Sequence, residues 1–139
     1  MDPLGLACTP KINERHIVDG EINRRGKAVG YHHRPNGVDA PKARLTNIVK
    51  SSDSSGVYTG MIEILDSTSG KWVPKGVPST FFPDIWSKSK VISEIRAAFS
   101  NKTMIGENQW RGISNSGVII QGYLDKVGNI STAHPIIGK

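Results

Sequence analysis

Of the four histidines in the chain, His16, His32 and His33 fall in one stretch, Arg15 to Gly37, among glycines and cations, and His134 lies near the other end. Histidine has an ordinary pKa of about 6.5, so it can take and give a proton near neutrality. Two imidazoles on either side of a bound phosphodiester can therefore do acid–base chemistry without a metal. His16 and His32 are the candidate pair. Between them the chain passes Asp19-Gly20 and Arg24-Arg25-Gly26, where an element stops and the chain turns. Such a segment can fold back until its ends converge, and Gly30 lets backbone come close to a ligand just before the second histidine. Two other readings stand beside this one: solvated surface histidines next to a basic turn, and a metal site built on the adjacent pair His32-His33. Against the metal, neighbours on a strand point to opposite faces. The single cysteine is distant at Cys8, and no His-x-His or His-x-x-x-His pair occurs.

The elements that must position these groups are those of one folded domain of 139 residues, long enough to bury a core. Hydrophobic and charged fractions of 37% and 22% exclude a disordered chain. No apolar run reaches the roughly 18 residues of a membrane span, and the N-terminus lacks a signal-peptide apolar region, so export is expected to be arranged outside this chain. One cysteine excludes an internal disulfide, and nothing around Cys8 suggests thiol catalysis. The net charge of +6 and pI of about 9.6 suit a partner with phosphates, since each neutralised phosphate releases counterions. A basic domain with no nucleic-acid partner is the alternative.

In chain order, Met1 to Pro10 carries two prolines and a glycine and reads as a linker. Lys11 to Asp19 begins as a helical turn and is expected to extend through His16-Ile17-Val18. Ala28 to His33 reads as a short strand, Arg34-Pro35-Asn36-Gly37 as a turn-bearing loop, Val38 to Ser55 as a polar, basic segment, and SSDSSG at Ser51 to Gly56 as a loop. Val57 to Leu65 alternates as a strand, with Gly60 marking a bulge or close approach, and Lys71 to Lys75 pairs back on it. Three prolines make Val73 to Asp84 largely irregular, with Phe81, Phe82 and Trp86 as core anchors. Lys88 to Ser100 is a helix with Ser87 as N-cap and Val91, Ile92, Ile95, Ala98 and Phe99 on one face. Gly117 to Leu124 and Ile130 to Ile137 are strands around a turn at Asp125 to Asn129. The sum is an α+β chain with antiparallel hairpins.

Two resemblances emerge from these residues. The Asp2-Pro3-Leu4-Gly5-Leu6 run resembles the junction at which Rhs-repeat proteins give way to a variable C-terminal toxin. More extensively, HIVDGE at His16 to Glu21, GYH at Gly30 to His32, the STFFPDIWS run and GNISTAHP at Gly128 to Pro135 are similar to the motifs of EndoU-type endoribonucleases, bacterial EndoU toxin domains in particular. The similarity covers most of residues 11 to 137. It implies a pancreatic-ribonuclease-like core of two antiparallel sheets with a central helix and a cleft between them, in residues 11–139, with residues 1–10 as the junction to a larger effector.

By the same resemblance, His32 would be the base and His16 the acid of a metal-free, cofactor-free scission giving a 2′,3′-cyclic phosphate and a 5′-hydroxyl end. Thr132 would hold uridine or phosphate, and the Gly30 N–H would face the developing charge. His134 stands where many relatives have a base-stacking tyrosine. His33 is the alternate catalytic histidine, and Ser131, Lys50 and Arg34 are further candidates for substrate or phosphate. A lysine used by some members, expected near the start of the Val57 strand, is missing there, where Ser54-Ser55-Gly56 stand; Lys50 is the nearest cation. The implied protein is a secreted effector domain that is delivered to a target bacterium's cytoplasm and cuts tRNA or other structured RNA near uridine. A cognate acidic immunity protein is expected to restrain it. The alternative is a basic RNA-binding module without chemistry.

Overall fold

A computed structural model describes residues 9–137. The linker reading of residues 1–10, with the Asp2 to Leu6 run and Cys8, falls almost wholly outside them. In chain order the elements are α1 (Glu14–Val18), β1 (Glu21–Ile22), β2 (Ala28–Val29), β3 (Ala43–Lys50), β4 (Tyr58–Asp66), β5 (Lys71–Pro74) and β6 (Ser79–Phe81). They continue with α2 (Lys88–Ser100), β7 (Thr103–Met104), β8 (Gln109–Ile113), β9 (Ile119–Leu124) and β10 (Ile130–Pro135). All strand pairs are antiparallel. One sheet has the order β10-β9-β8-β7; a second has β3-β4-β5, with β6 added alongside the first half of β4; β1 and β2 form a separate ribbon. The architecture is α+β, with one main helix and several antiparallel sheets, consistent with an EndoU-like core.

The helix forms where its apolar period predicts. Ser87 Oγ accepts the Lys90 N–H at 3.1 Å, satisfying a donor that the first turn would leave unpaired. Val91, Ile95 and Ala98 are buried on β8 and β9 with Trp110, Ile120 and Ala133. Gly112 permits this contact, since a Cβ there would lie 1.9 Å from the Ala98 carbonyl oxygen. A second apolar cluster, with Tyr31, Tyr58, Ile62, Ile64 and Phe81, lies under the β3-β4-β5 sheet.

Three expectations change. His16, Ile17 and Val18 are helical rather than extended, because the Asn13 side chain caps α1 by accepting the His16 N–H at 3.3 Å. The strand expected over Ala28 to His33 stops at Val29: Gly30 and Tyr31 follow with φ of +80° and +71°, a left-handed turn that strand pairing cannot continue. The basic segment after Val38 contains an eight-residue edge strand, β3, which exposes most of its side chains and so lacks an apolar alternation. Gly60 is a close approach: a Cβ there would stand 2.3 Å from Leu45 Cδ1 and 2.8 Å from the Asn47 carbonyl oxygen.

Backbone bonds bring the two sheets together around the first histidines. Ile130 N–H donates to the Lys11 carbonyl and Asn13 N–H to the Ile130 carbonyl, docking the start of α1 on β10. Tyr31 N–H donates to the His16 carbonyl at 2.9 Å and His32 N–H to the Ile17 carbonyl at 2.6 Å. Phe82 N–H donates to the His32 carbonyl at 2.8 Å, tying this turn to the end of β6.

Candidate active site

A cleft of about 340 Å³ opens between β6 and β10, and His16, Gly30, His32, Lys75, Thr132 and His134 line it with Thr80 and Val77. The fold thus converges five of the sequence-selected residues and adds Lys75. A larger groove of about 540 Å³ along α2 carries Glu14, Lys88 and Arg96 but no histidine.

Each of the three cleft histidines is oriented through Nδ1. His32 Nδ1 lies 2.9 Å from the Thr80 carbonyl, which can only accept, so Nδ1 carries the hydrogen and Nε2 is left with its lone pair in the neutral ring. Burial pushes His32 well below the usual histidine range, and nearby Lys75 and His134 push the same way. His32 is consequently neutral at pH 7 and a proton acceptor. His16 Nδ1 lies 2.8 Å from Glu21 Oε2, a charge-assisted bond when the ring is protonated, which leaves Nε2–H as the donor. His134 Nδ1 donates to the Pro135 carbonyl at 3.1 Å. Its ring centroid stands 5.5 Å from that of His32, and burial lowers its pKa too.

Lys75 brings a cation to the cleft. Its Nζ donates to Ser79 Oγ at 2.8 Å and to the Gly30 carbonyl at 3.2 Å, leaving a third N–H for a ligand. Burial lowers its pKa to about 8. The resemblance implies a lysine near the start of β4; Lys75 instead lies just past β5, where its backbone N–H donates to the Ile62 carbonyl in the middle of β4. The available signal was the hairpin itself: continuing the register from Asp66↔Lys71 past Glu63↔Pro74 sets Lys75 opposite Ile62. Glu21 was also passed over, although it stands five residues from His16 in the same motif.

Four candidates are not brought to the cleft. Lys50 is exposed at the far end of β3, opposite Thr59. Arg34 is spent on structure: it donates to Asp39 Oδ1 at 2.7 Å, to the Gly37 carbonyl at 2.8 Å and to the Tyr58 hydroxyl at 3.2 Å. Ser131 sits at the β10 bulge and donates to the Tyr123 carbonyl at 3.1 Å. His33 is buried, with Nε2 donating to the Trp86 carbonyl at 2.7 Å, and serves packing. Among the described residues, no group of three or more His, Cys, Asp and Glu side chains is placed to hold a metal ion.

Comparison with known proteins agrees with this geometry. Residues 10–137 match the family described as bacterial EndoU nuclease. A Bacillus cereus protein named "Toxin" is 34% identical over 121 residues, which cover 87% of this chain. The chain spans 22% of the length of that relative. No solved structure matches. With the family match covering nearly the whole chain, the chain belongs to the bacterial EndoU nuclease family, a family of endoribonucleases.

Proposed function

We propose that this domain cuts RNA by transesterification in the His16–His32 cleft. The observation that carries the reading is that Nδ1 of both rings is tied to the protein, so both Nε2 atoms are free to serve the cleft that holds Lys75. His32 Nε2 takes the proton of the ribose 2′-hydroxyl, and the 2′-oxygen attacks phosphorus. The bond from phosphorus to the 5′-oxygen breaks, and His16 Nε2–H protonates that oxygen. A 2′,3′-cyclic phosphate and a 5′-hydroxyl result. Lys75, the Thr132 hydroxyl and the Gly30 N–H face the charge that builds on the phosphoryl oxygens. His134, whose ring is tilted by 33° to that of His32 across the cleft, takes the place of the aromatic that holds the base.

The domain would act as the nuclease part of a longer toxin, since its relative carries that name and extends far beyond the matched region. Residues 1–10 would be the junction to the parent effector. Delivery to a competing bacterium's cytoplasm, cleavage of tRNA or another structured RNA near uridine, and an acidic immunity protein over the basic cleft complete the reading. Mapping the ends made by the purified domain on total RNA in EDTA tests it. Cyclic-phosphate and 5′-hydroxyl ends are expected; 5′-phosphate ends, or salt-dependent binding with no cleavage, would overturn it.

A further inference from the structure

The cleft does not end at β10. Thr132 and His134 point from the sheet face opposite α2, and register continues that face across β9 and β8: Thr132 lies opposite Tyr123 and then Gln109, and His134 opposite Gln121 and then Arg111. The alternate positions, Trp110, Gly112, Ile120, Gly122 and Ala133, are buried on the helix side. The outward positions of β8 and β9 are Gln109, Arg111, Ile113, Ile119, Gln121 and Tyr123, none acidic.

Arg111 is placed differently from the buried or paired arginines of the domain. Arg34 and Arg44 are each neutralised by a carboxylate, Asp39 and Glu63. Arg111 is exposed and held by a neutral amide, with Nε and Nη2 donating to Gln121 Oε1 at 3.0 and 2.6 Å. That grip uses one edge of the planar guanidinium and leaves the other for two further bonds to an anion. With neighbouring strands about 4.8 Å apart, the Arg111 backbone stands only about 10 Å from that of His134. No surface carboxylate intervenes along the row.

We propose that this sheet face is an extended RNA-binding surface, on which Arg111, oriented by Gln121, holds a phosphate flanking the one cleaved in the cleft. The proposal rests on the ribonuclease reading above. It assigns the contact to the sugar–phosphate backbone, so it contributes affinity and register without base preference.

The test compares the parent with Arg111→Ala and Gln121→Glu, which keeps the guanidinium in place but pairs it with a charge. Binding of a short 2′-O-methyl oligoribonucleotide, which cannot be cut, is followed against salt, and cleavage is measured on an oligoribonucleotide and on a dinucleoside monophosphate that has no flanking phosphate. Both variants are expected to make the log–log salt slope shallower by about 0.7, one phosphate on a single strand. Both are also expected to lower about tenfold the ratio of kcat/KM on the oligonucleotide to that on the dinucleotide. An unchanged slope and ratio, with the parent cutting both substrates, would overturn the flanking site and leave the ribonuclease reading intact. A parent that cuts neither substrate would bring down both.

Discussion

Lys75 Nζ lies 3.2 Å from the carbonyl oxygen of Gly30, so the cation facing the cleft is tied to the turn that leads into His32. One polar contact thus couples the proposed phosphate-facing charge to the position of the proposed general base.

Replacing Lys75 by Ala is expected to lower kcat by about 10²–10³, the usual cost of removing one transition-state donor. Because burial sets Lys75 at about 8, parent activity should fall as pH rises past that value and the ammonium is lost. Lys75→Arg, which stays charged, should move that alkaline limb upward in a pH–rate profile of kcat/KM on a substrate with a sulfur leaving group, which needs no proton from His16. An unmoved limb would show that another group sets it.

In the proposed mechanism Glu21 acts through His16, whose Nδ1 it holds at 2.8 Å. Glu21→Ala frees the ring to turn and is expected to lower kcat about ten- to a hundredfold, a part of the 10²–10⁴ that acid–base catalysis contributes, with KM little changed. Steady-state kinetics on a defined oligonucleotide checks this, and equal losses in kcat and 1/KM would contradict it.

Gly30 combines φ of +80° with a position where a Cβ would meet the His16 carbonyl oxygen at 2.1 Å. Gly30→Ala should cost more than about 2 kcal/mol and abolish activity, because strain and clash both fall between the two catalytic histidines. Gly26→Ala, at φ of +77° with open space around it, isolates the strain and should cost about 1 kcal/mol with activity kept. Urea denaturation of both variants measures the difference.

Buried histidines make the fold acid-sensitive. His32, His33 and His134 all have folded pKa values below the ordinary 6.5, chiefly through burial. The unfolded chain therefore binds more protons than the folded one once pH drops below about 6.5. Their contribution is fully present above that value and is lost as pH falls, by roughly 1.4 kcal/mol per pH unit for each ring still neutral in the fold. Urea midpoints should decrease from pH 8 to pH 5.5; an increase would contradict the assignment.

What was legible in the sequence follows from local signals. The α2 boundaries are readable because Ser87 caps a run in which Val91, Ile95 and Ala98 recur at helical spacing, and β4 because alternate residues are buried. The edge strand β3 carried no such pattern, since only Ala43 at its start is buried. His16 was read as extended because five residues of helix are too few to show a period. His16, His32, Thr132 and His134 were found through family motifs, and their convergence depends on docking β10 against α1, which no local pattern encodes. Lys75 was missed for the same reason: its place is set by the β4–β5 register and by burial against Ser79 and Gly30. Arg34 and Lys50 looked available from composition, but a charge count cannot tell an arginine already bound to Asp39 from a free one.

The central claim is that His32 is the base and His16 the acid. It is tested most directly with an oligonucleotide whose scissile 5′-oxygen is replaced by sulfur, a leaving group that needs no proton. Both His16→Ala and His32→Ala, shown to be folded by circular dichroism, should fail on ordinary RNA, and the sulfur substrate should restore cyclic-phosphate formation to His16→Ala alone. Rescue of His32→Ala instead would reverse the roles, and full activity of either variant on ordinary RNA would contradict the account.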